Sequence, residues 1–260
     1  MITSLALALA LQGGLPDRVA AAPDGEVRFS YATRPGVCGN GRNTISFDCE
    51  DGWCGRHRVS VGRYDDDDDA GCPCEPGPAR VALQQRGGQV TRLRAYVGGA
   101  WRAAGAGVTD LGTVSAAAAA RYLLDLAARA TGDAGHEAVF PAVLADSVTI
   151  WPDLLRLART ASVARETRRS AVFWLGQAAG EVATRGLTEL LDDTTVTLEV
   201  KESAVFALSQ QPRDAGVPAL IRVARTHPSP GVRKKALFWL GQSEDPRALA
   251  LFEEILTQSR

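Results

Sequence analysis

All five cysteines of this 260-residue chain fall between positions 38 and 74. Cys38, Cys49, Cys54, Cys72 and Cys74 have His57 among them, so the spacing Cys49-x4-Cys54-x2-His57 followed by Cys72-x-Cys74 sets five candidate metal ligands within 26 residues. Thiolates and imidazoles are the donors that zinc takes, but its tetrahedral sites draw on more widely spaced cysteine pairs, and Cys-x-Cys is too tight. Crowded cysteines in Gly- and Pro-rich loops fit disulfides better, formed in an oxidising compartment to staple a region with little core of its own. The pairing is not legible from spacing. Cys38 with Cys74 is the first choice, because each sits in a loop flanking a strand, and the odd count leaves one thiol unpaired or bridged to another molecule.

The rest of the chain offers little chemistry. His57, His136 and His227 stand in three separate regions, and neither G-x-S-x-G nor H-E-x-x-H occurs. His227 lies in the turn-like THPSP and is expected to be solvated. The run DDDDD at 65–69 supplies hard oxygen donors, yet it lacks the spaced ligands and turn glycine of a calcium loop. A solvated loop is expected there. CGRH at 54–57 lacks the second cysteine of a haem-attachment motif. No cofactor and no metal is expected, and the chain is read as a non-enzyme.

Apolar residues make up 45% of the chain and the formal net charge is −1, the composition of a globular protein without the basic excess that nucleic acid demands. The N-terminus reads MITSLALALALQGG. Its apolar run is about half the ~20 residues of a membrane-spanning helix. It suits the core of an export signal, with Ala8-Leu9-Ala10 as a cleavage pattern, although no Lys or Arg precedes it. Residues 1–22 are therefore read as a signal peptide, with no membrane span thereafter and a periplasmic or secreted address of bacterial type.

The elements that would position any site fall into two parts, an α+β arrangement. Residues 23–112 read as a small β-rich, disulfide-stapled module. EVRFSYAT (26–33) alternates like a half-buried strand, TISFDC (44–49) and HRVSVGRY (57–64) are shorter candidates, and ARVALQQRGGQVTRLRAYV (79–97) reads as a hairpin about Arg86-Gly87-Gly88. An Ala-rich helix follows, with Thr113 or Ser115 as its N-cap, and 113–149 is assigned as a helical cap or connector.

From 150 to 260 the lettering repeats. RRSAVFWLGQ (168–177), KESAVFALSQ (201–210) and RKKALFWLGQ (233–242) are three copies of one helix, and LLRLAR (154–159), LTELLD (187–192), LIRVAR (220–225) and LFEEIL (251–256) are an earlier helix of each unit. Asp and Pro punctuate the joints. A single helix pair cannot bury both faces, so units of this kind stack into a continuous core, an αα-solenoid.

The repeats resemble short HEAT repeats, of the kind grouped with phycobilisome lyases, whose second helix opens V-R-x-x-A and closes A-L-G, as in Val232-Arg233-Lys234-Lys235-Ala236 and Trp239-Leu240-Gly241. The resemblance implies a scaffold that holds a protein partner on its concave side. Helical spacing puts Val232, Ala236, Trp239 and Leu240 on the buried face, and Phe173, Phe206 and Phe238 about 100° away from it. In HEAT-like repeats that slot looks into the concave side. Gln177, Gln210 and Gln242 extend the row one turn later, with Arg169, Glu202 and Lys234 one turn earlier. Two readings stay open: an aromatic groove for an extended partner segment, or phenylalanines that complete contacts between units. The resemblance also implies that Arg168, Lys201 and Arg233 pair with acidic residues at the joints, Asp193, Asp214 and Asp245 being available. The expected function is a non-catalytic interaction scaffold of the cell envelope. The alternatives are a lyase-type enzyme or subunit, and a metal-binding or envelope-stress module built on the cysteines.

Overall fold

The computed structural model describes residues 13–42, 44–46, 49, 50, 53, 54, 58–60, 74–101, 103–177 and 181–258. The chain divides into two compact units, 1–150 and 151–260.

In the first unit the strands β1 (Gly25–Tyr31), β2 (Cys38–Gly39), β3 (Thr44–Ser46), β4 (Cys49–Glu50), β5 (Trp53–Cys54), β6 (Arg58–Ser60), β7 (Glu75–Pro76), β8 (Ala79–Arg86), β9 (Gln89–Val97) and β10 (Val108–Thr113) follow a short helix, α1 (Leu15–Ala20). The main sheet runs β10-β1-β8-β9, and a smaller one runs β6-β3-β2-β7. The hairpin stands as expected: β8 and β9 pair antiparallel, and Gly87 and Gly88 make the turn with φ of 57° and 70°. Both residues at positive φ is the two-residue turn that matches strand twist, and glycine adopts it without a Cβ clash. Their N–H groups donate to the Asp24 carboxylate at 2.8 and 3.3 Å, which holds that carboxyl below its ordinary range.

β1 departs from the half-buried strand its letters suggest. It lies in the middle of the sheet, and Val27, Arg28, Phe29, Ser30 and Tyr31 are all buried. The cause is β10, which pairs with β1 in parallel and carries no alternating pattern of its own. Its Asp110 neutralises the buried Arg28 at 2.9 Å, and the guanidinium lies 4.9 Å from the Trp101 ring centroid. Phe29 meets Tyr122 edge-on at 6.1 Å, and Tyr31 donates to the Pro141 carbonyl at 2.6 Å. Burial pushes the Tyr122 phenol up to about 12.

Helices α2 (Ala116–Arg129), α3 (Asp133–Glu137) and α4 (Val139–Val143) belong to this unit. Ser115 caps α2, accepting from Ala118 N–H at 3.2 Å, and α3 packs on β9, where Glu137 accepts from Leu93 N–H at 2.8 Å. A disulfide joins Cys38 to Cys74, tying β2 to the segment entering β7. Cys49 and Cys54 are register partners across β4 and β5. Cys72, His57 and the aspartate run lie outside the described residues. Residues 13–22, within the stretch read as a signal, include α1, whose Leu15 and Val19 are buried and whose Arg18 donates to Leu111 O at 2.6 Å.

The second unit is helical: α5 (Trp151–Arg159), α6 (Arg165–Gln177), α7 (Glu181–Asp192), α8 (Leu198–Ser209), α9 (Arg213–Thr226), α10 (Pro230–Gly241) and α11 (Pro246–Gln258). First helices α5, α7, α9 and α11 pack in one row, and second helices α6, α8 and α10 in another, with the two rows in contact. The repeated letters fill repeated slots. Ala171, Ala204 and Ala236 are buried at one level, and Leu175, Leu208 and Leu240 at the next. Each such leucine contributes roughly 1.5–3 kcal/mol by burial. Arg159–Glu189, Asp192–Arg222 and Arg225–Glu254 link successive first helices on their exposed side. Exposed pairs of this kind are worth about 0–1 kcal/mol each, so apolar burial carries the stack.

Candidate functional site

The recurrent phenylalanines occupy one slot of α6, α8 and α10, and the structure exposes two of them. Phe173 is 42% and Phe238 55% exposed, whereas Phe206 is half-buried. Local sequence explains the difference. Phe173 and Phe238 are each followed by a tryptophan and meet it edge-on, at 5.0 and 5.1 Å between ring centroids. Ala207 follows Phe206, and the ring that packs on Phe206 is Trp239 from the next second helix, at 5.0 Å. Ala207 instead meets Gly176, where an added Cβ would stand 2.7 Å from the Ala207 Cβ. Close approach of α6 and α8 requires small residues at both positions.

The polar residues of the row are exposed or half-exposed. Gln210 and Gln242 are exposed, Gln177 is half-exposed, and Arg169 and Lys234 are exposed. Arg169 has Glu166 at 3.6 Å, a loose pair on one helix face. Aromatic residues and Arg are enriched in protein interfaces, and Lys is depleted.

The inner cations act differently from the expected pairing with joint carboxylates. Lys201 Nζ donates to Leu191 O at 2.9 Å, Arg233 donates to His227 O at 2.7 Å and to Pro228 O at 3.0 Å, and Arg168 donates to Thr197 Oγ1 at 3.3 Å. The last carbonyls of an α-helix have no partner within it, and cations there also favour the negative end of the helix dipole. The joint aspartates pair with other groups, Asp193 with Arg159 at 3.4 Å and Asp214 with Arg247 at 3.8 Å. Asp193 accepts from Thr195 N and Oγ1, and Asp245 accepts from Arg247 N and Nε.

His227 is buried rather than solvated, at 5% exposure. Its Nδ1 accepts from Ser229 N–H at 3.1 Å, which leaves the ring proton on Nε2, directed at Leu191 O at 3.1 Å. Both ring nitrogens are satisfied, so the group is structural. Among the described residues no cluster of three or more His, Cys, Asp or Glu could hold a metal ion. Among them, too, no helix is long and apolar enough to cross a membrane.

Sequence reasoning missed Gln211. It is buried at the α8–α9 joint, and its Nε2 donates to Gly176 O and, at 3.5 Å, to Ala207 O, binding α6 to α8. The matching position is Ala178 in the first copy and Ser243 in the third, so a search for recurrence passes over it. The only signal was a second Gln directly before Pro212.

A family model described as HEAT repeats matches residues 197–260, from the residue before α8 through α11. Residues 197–260 are thus similar to HEAT repeats, modules that serve generally as protein-interaction scaffolds. The match is to HEAT repeats as a class and does not extend to the lyase-associated subtype. No curated protein matches the chain.

Proposed function

We propose that this chain is a non-catalytic interaction scaffold of the bacterial cell envelope, which holds a protein partner against the face formed by its second helices. The carrying observation is the exposure of Phe173 and Phe238 at the same slot of two helices of one stack. Large exposed aromatics in a row, rimmed by polar side chains, favour burial by a partner. Gln177, Gln210, Gln242, Arg169 and Lys234 form the rim, where hydrogen bonds and charge set register rather than raw affinity. The HEAT-repeat match supports a protein as partner. The Cys38–Cys74 disulfide supports an oxidising compartment, in keeping with an exported chain.

The test uses Phe173→Ser combined with Phe238→Ser. Both side chains are exposed, so the stack should keep its helical content and unfolding midpoint. Capture of a partner from envelope extract by the parent chain, and its loss with the double variant, is expected. Equal recovery by both would remove the aromatic row from the binding face.

A further inference from the structure

Between the α8–α9 joint and the α10–α11 joint lies a cleft of about 260 Å³, with Gln211, Trp239, Leu208, Val217 and Leu220 in its lining. Two buried polar atoms of that lining, Gln211 Oε1 and Trp239 Nε1, have no hydrogen-bond partner among the described residues. Gln211 as a whole is only 7% exposed. Folded proteins leave few buried polar atoms unpaired, so two in one cleft are open to a ligand or to water.

The chemistry offered is fixed at both ends. Gln211 Nε2 is engaged by Gly176 O and Ala207 O, so the amide presents its oxygen to the cleft. Flipping it would set oxygen against two carbonyls. The indole of Trp239 can only donate, and its ring is held between Phe206 and Phe238. A ligand that completes both must carry a hydrogen-bond donor and an acceptor, over an apolar floor. Water has the chemistry too, roughly nine molecules at ~30 Å³ each filling the space, and is the competing occupant. The volume falls just short of the ~300 Å³ at which cofactor-sized sites begin, and it suits one residue of a chain. Arg213 is the only charged lining residue, which disfavours a cationic ligand.

We infer that this cleft binds an amide group of the partner segment, with the amide N–H donating to Gln211 Oε1 and its carbonyl oxygen accepting from Trp239 Nε1. The inference rests on the interaction face for its setting, since Gln210 and Gln242 line the same cleft. The amide belongs either to the partner's main chain or to an Asn or Gln side chain, and two probes distinguish them.

The isotope-labelled full chain is titrated in the millimolar range with N-methylacetamide, which mimics a main-chain group, with propionamide, which mimics a side-chain carboxamide, and with methyl acetate, which has no N–H. Saturable downfield movement of the Trp239 indole N–H resonance by either amide, and not by the ester, is expected. The amide that saturates at lower concentration names the source. Trp239→Phe identifies the resonance and should weaken the accompanying shift of the Gln211 side-chain signal several-fold. Should that variant not fold, nuclear Overhauser contacts between the probe methyl and the Trp239 indole of the parent chain decide, their presence supporting the site and their absence overturning it. Equal saturation by methyl acetate, or no saturation by either amide, also overturns it and leaves a cleft that holds water alone. That failure would leave partner capture through Phe173 and Phe238 untouched, so the two readings fall separately.

Discussion

His227 Nε2 and Lys201 Nζ converge on one acceptor, the carbonyl oxygen of Leu191, at 3.1 and 2.9 Å. His227 belongs to the joint between α9 and α10, Lys201 to α8, and Leu191 to the last turn of α7. One orphan carbonyl at a helix end thereby ties three helices of adjacent units. Replacing either donor by Ala should cost about 1 kcal/mol, since the other still pairs the oxygen. The double replacement strands a buried acceptor, and its cost should exceed the sum by about 1 kcal/mol. Urea unfolding of the four chains measures this, and simple additivity would show that the two donors do not share the oxygen.

Acid should act on the last joint through Asp245. Its carboxyl is held down at about 2, first by the Arg247 side chain and then by the Arg247 backbone N–H, against an ordinary value of 3.8. A carboxyl depressed in the folded state stabilises fully above its unfolded pKa, and the stabilisation is lost as pH falls through the folded one. The thermal midpoint of the parent chain should therefore drop between about pH 4 and pH 2. Asp245→Asn should start lower and show a shallower drop across that window. An identical pH profile for both chains would contradict this role.

The β-rich unit should depend on its bridge. Cys38 and Cys74 are separated by 36 residues, and closing a loop of that length constrains the unfolded chain by up to about 4 kcal/mol. Cys38→Ser is expected to lower the stability of this unit by about 2–4 kcal/mol in guanidinium unfolding followed at the sheet. Reductant should bring the parent chain to the same midpoint. A bridge that matters little would leave all three curves superimposed.

Gly216 tests the packing of α9 on α8. A Cβ at that position would meet Leu208 O at 2.4 Å, a backbone atom that cannot swing away. Alanine ordinarily favours a helix over glycine by about 1 kcal/mol, but overpacking of about 1–3 kcal/mol opposes it. Gly216→Ala is expected to destabilise the repeat unit, and a raised melting temperature would refute the close approach.

The stack was legible because each unit sits in the same surroundings as the next, so selection on packing writes the same letters three times. Ala171, Ala204 and Ala236, with Leu175, Leu208 and Leu240, show that directly. What does not recur was hidden. Gln211 has no counterpart in the other copies, and His227 looks like a surface residue beside two prolines until Leu191, 36 residues away, is seen to lie under it. The cation row was given joint carboxylates as partners, whereas Lys201 and Arg233 donate to backbone carbonyls, which leave no mark in the lettering. In the first unit the hairpin announced itself through its glycines. The parallel strand β10 did not, since its own burial pattern is irregular and only its pairing with β1 makes it a strand. That same pairing buries Arg28 and Ser30, which alternation alone had placed outside.

The central claim, that a protein partner lies along the second-helix face, is tested most directly by placing a photoreactive phenylalanine analogue at position 173 or 238, with position 222 on the first-helix row as control. Irradiation of each chain in the presence of envelope extract should give one cross-linked protein, identical from 173 and 238 and absent from 222. Cross-linking of equal yield from all three positions, or from 222 alone, would contradict it.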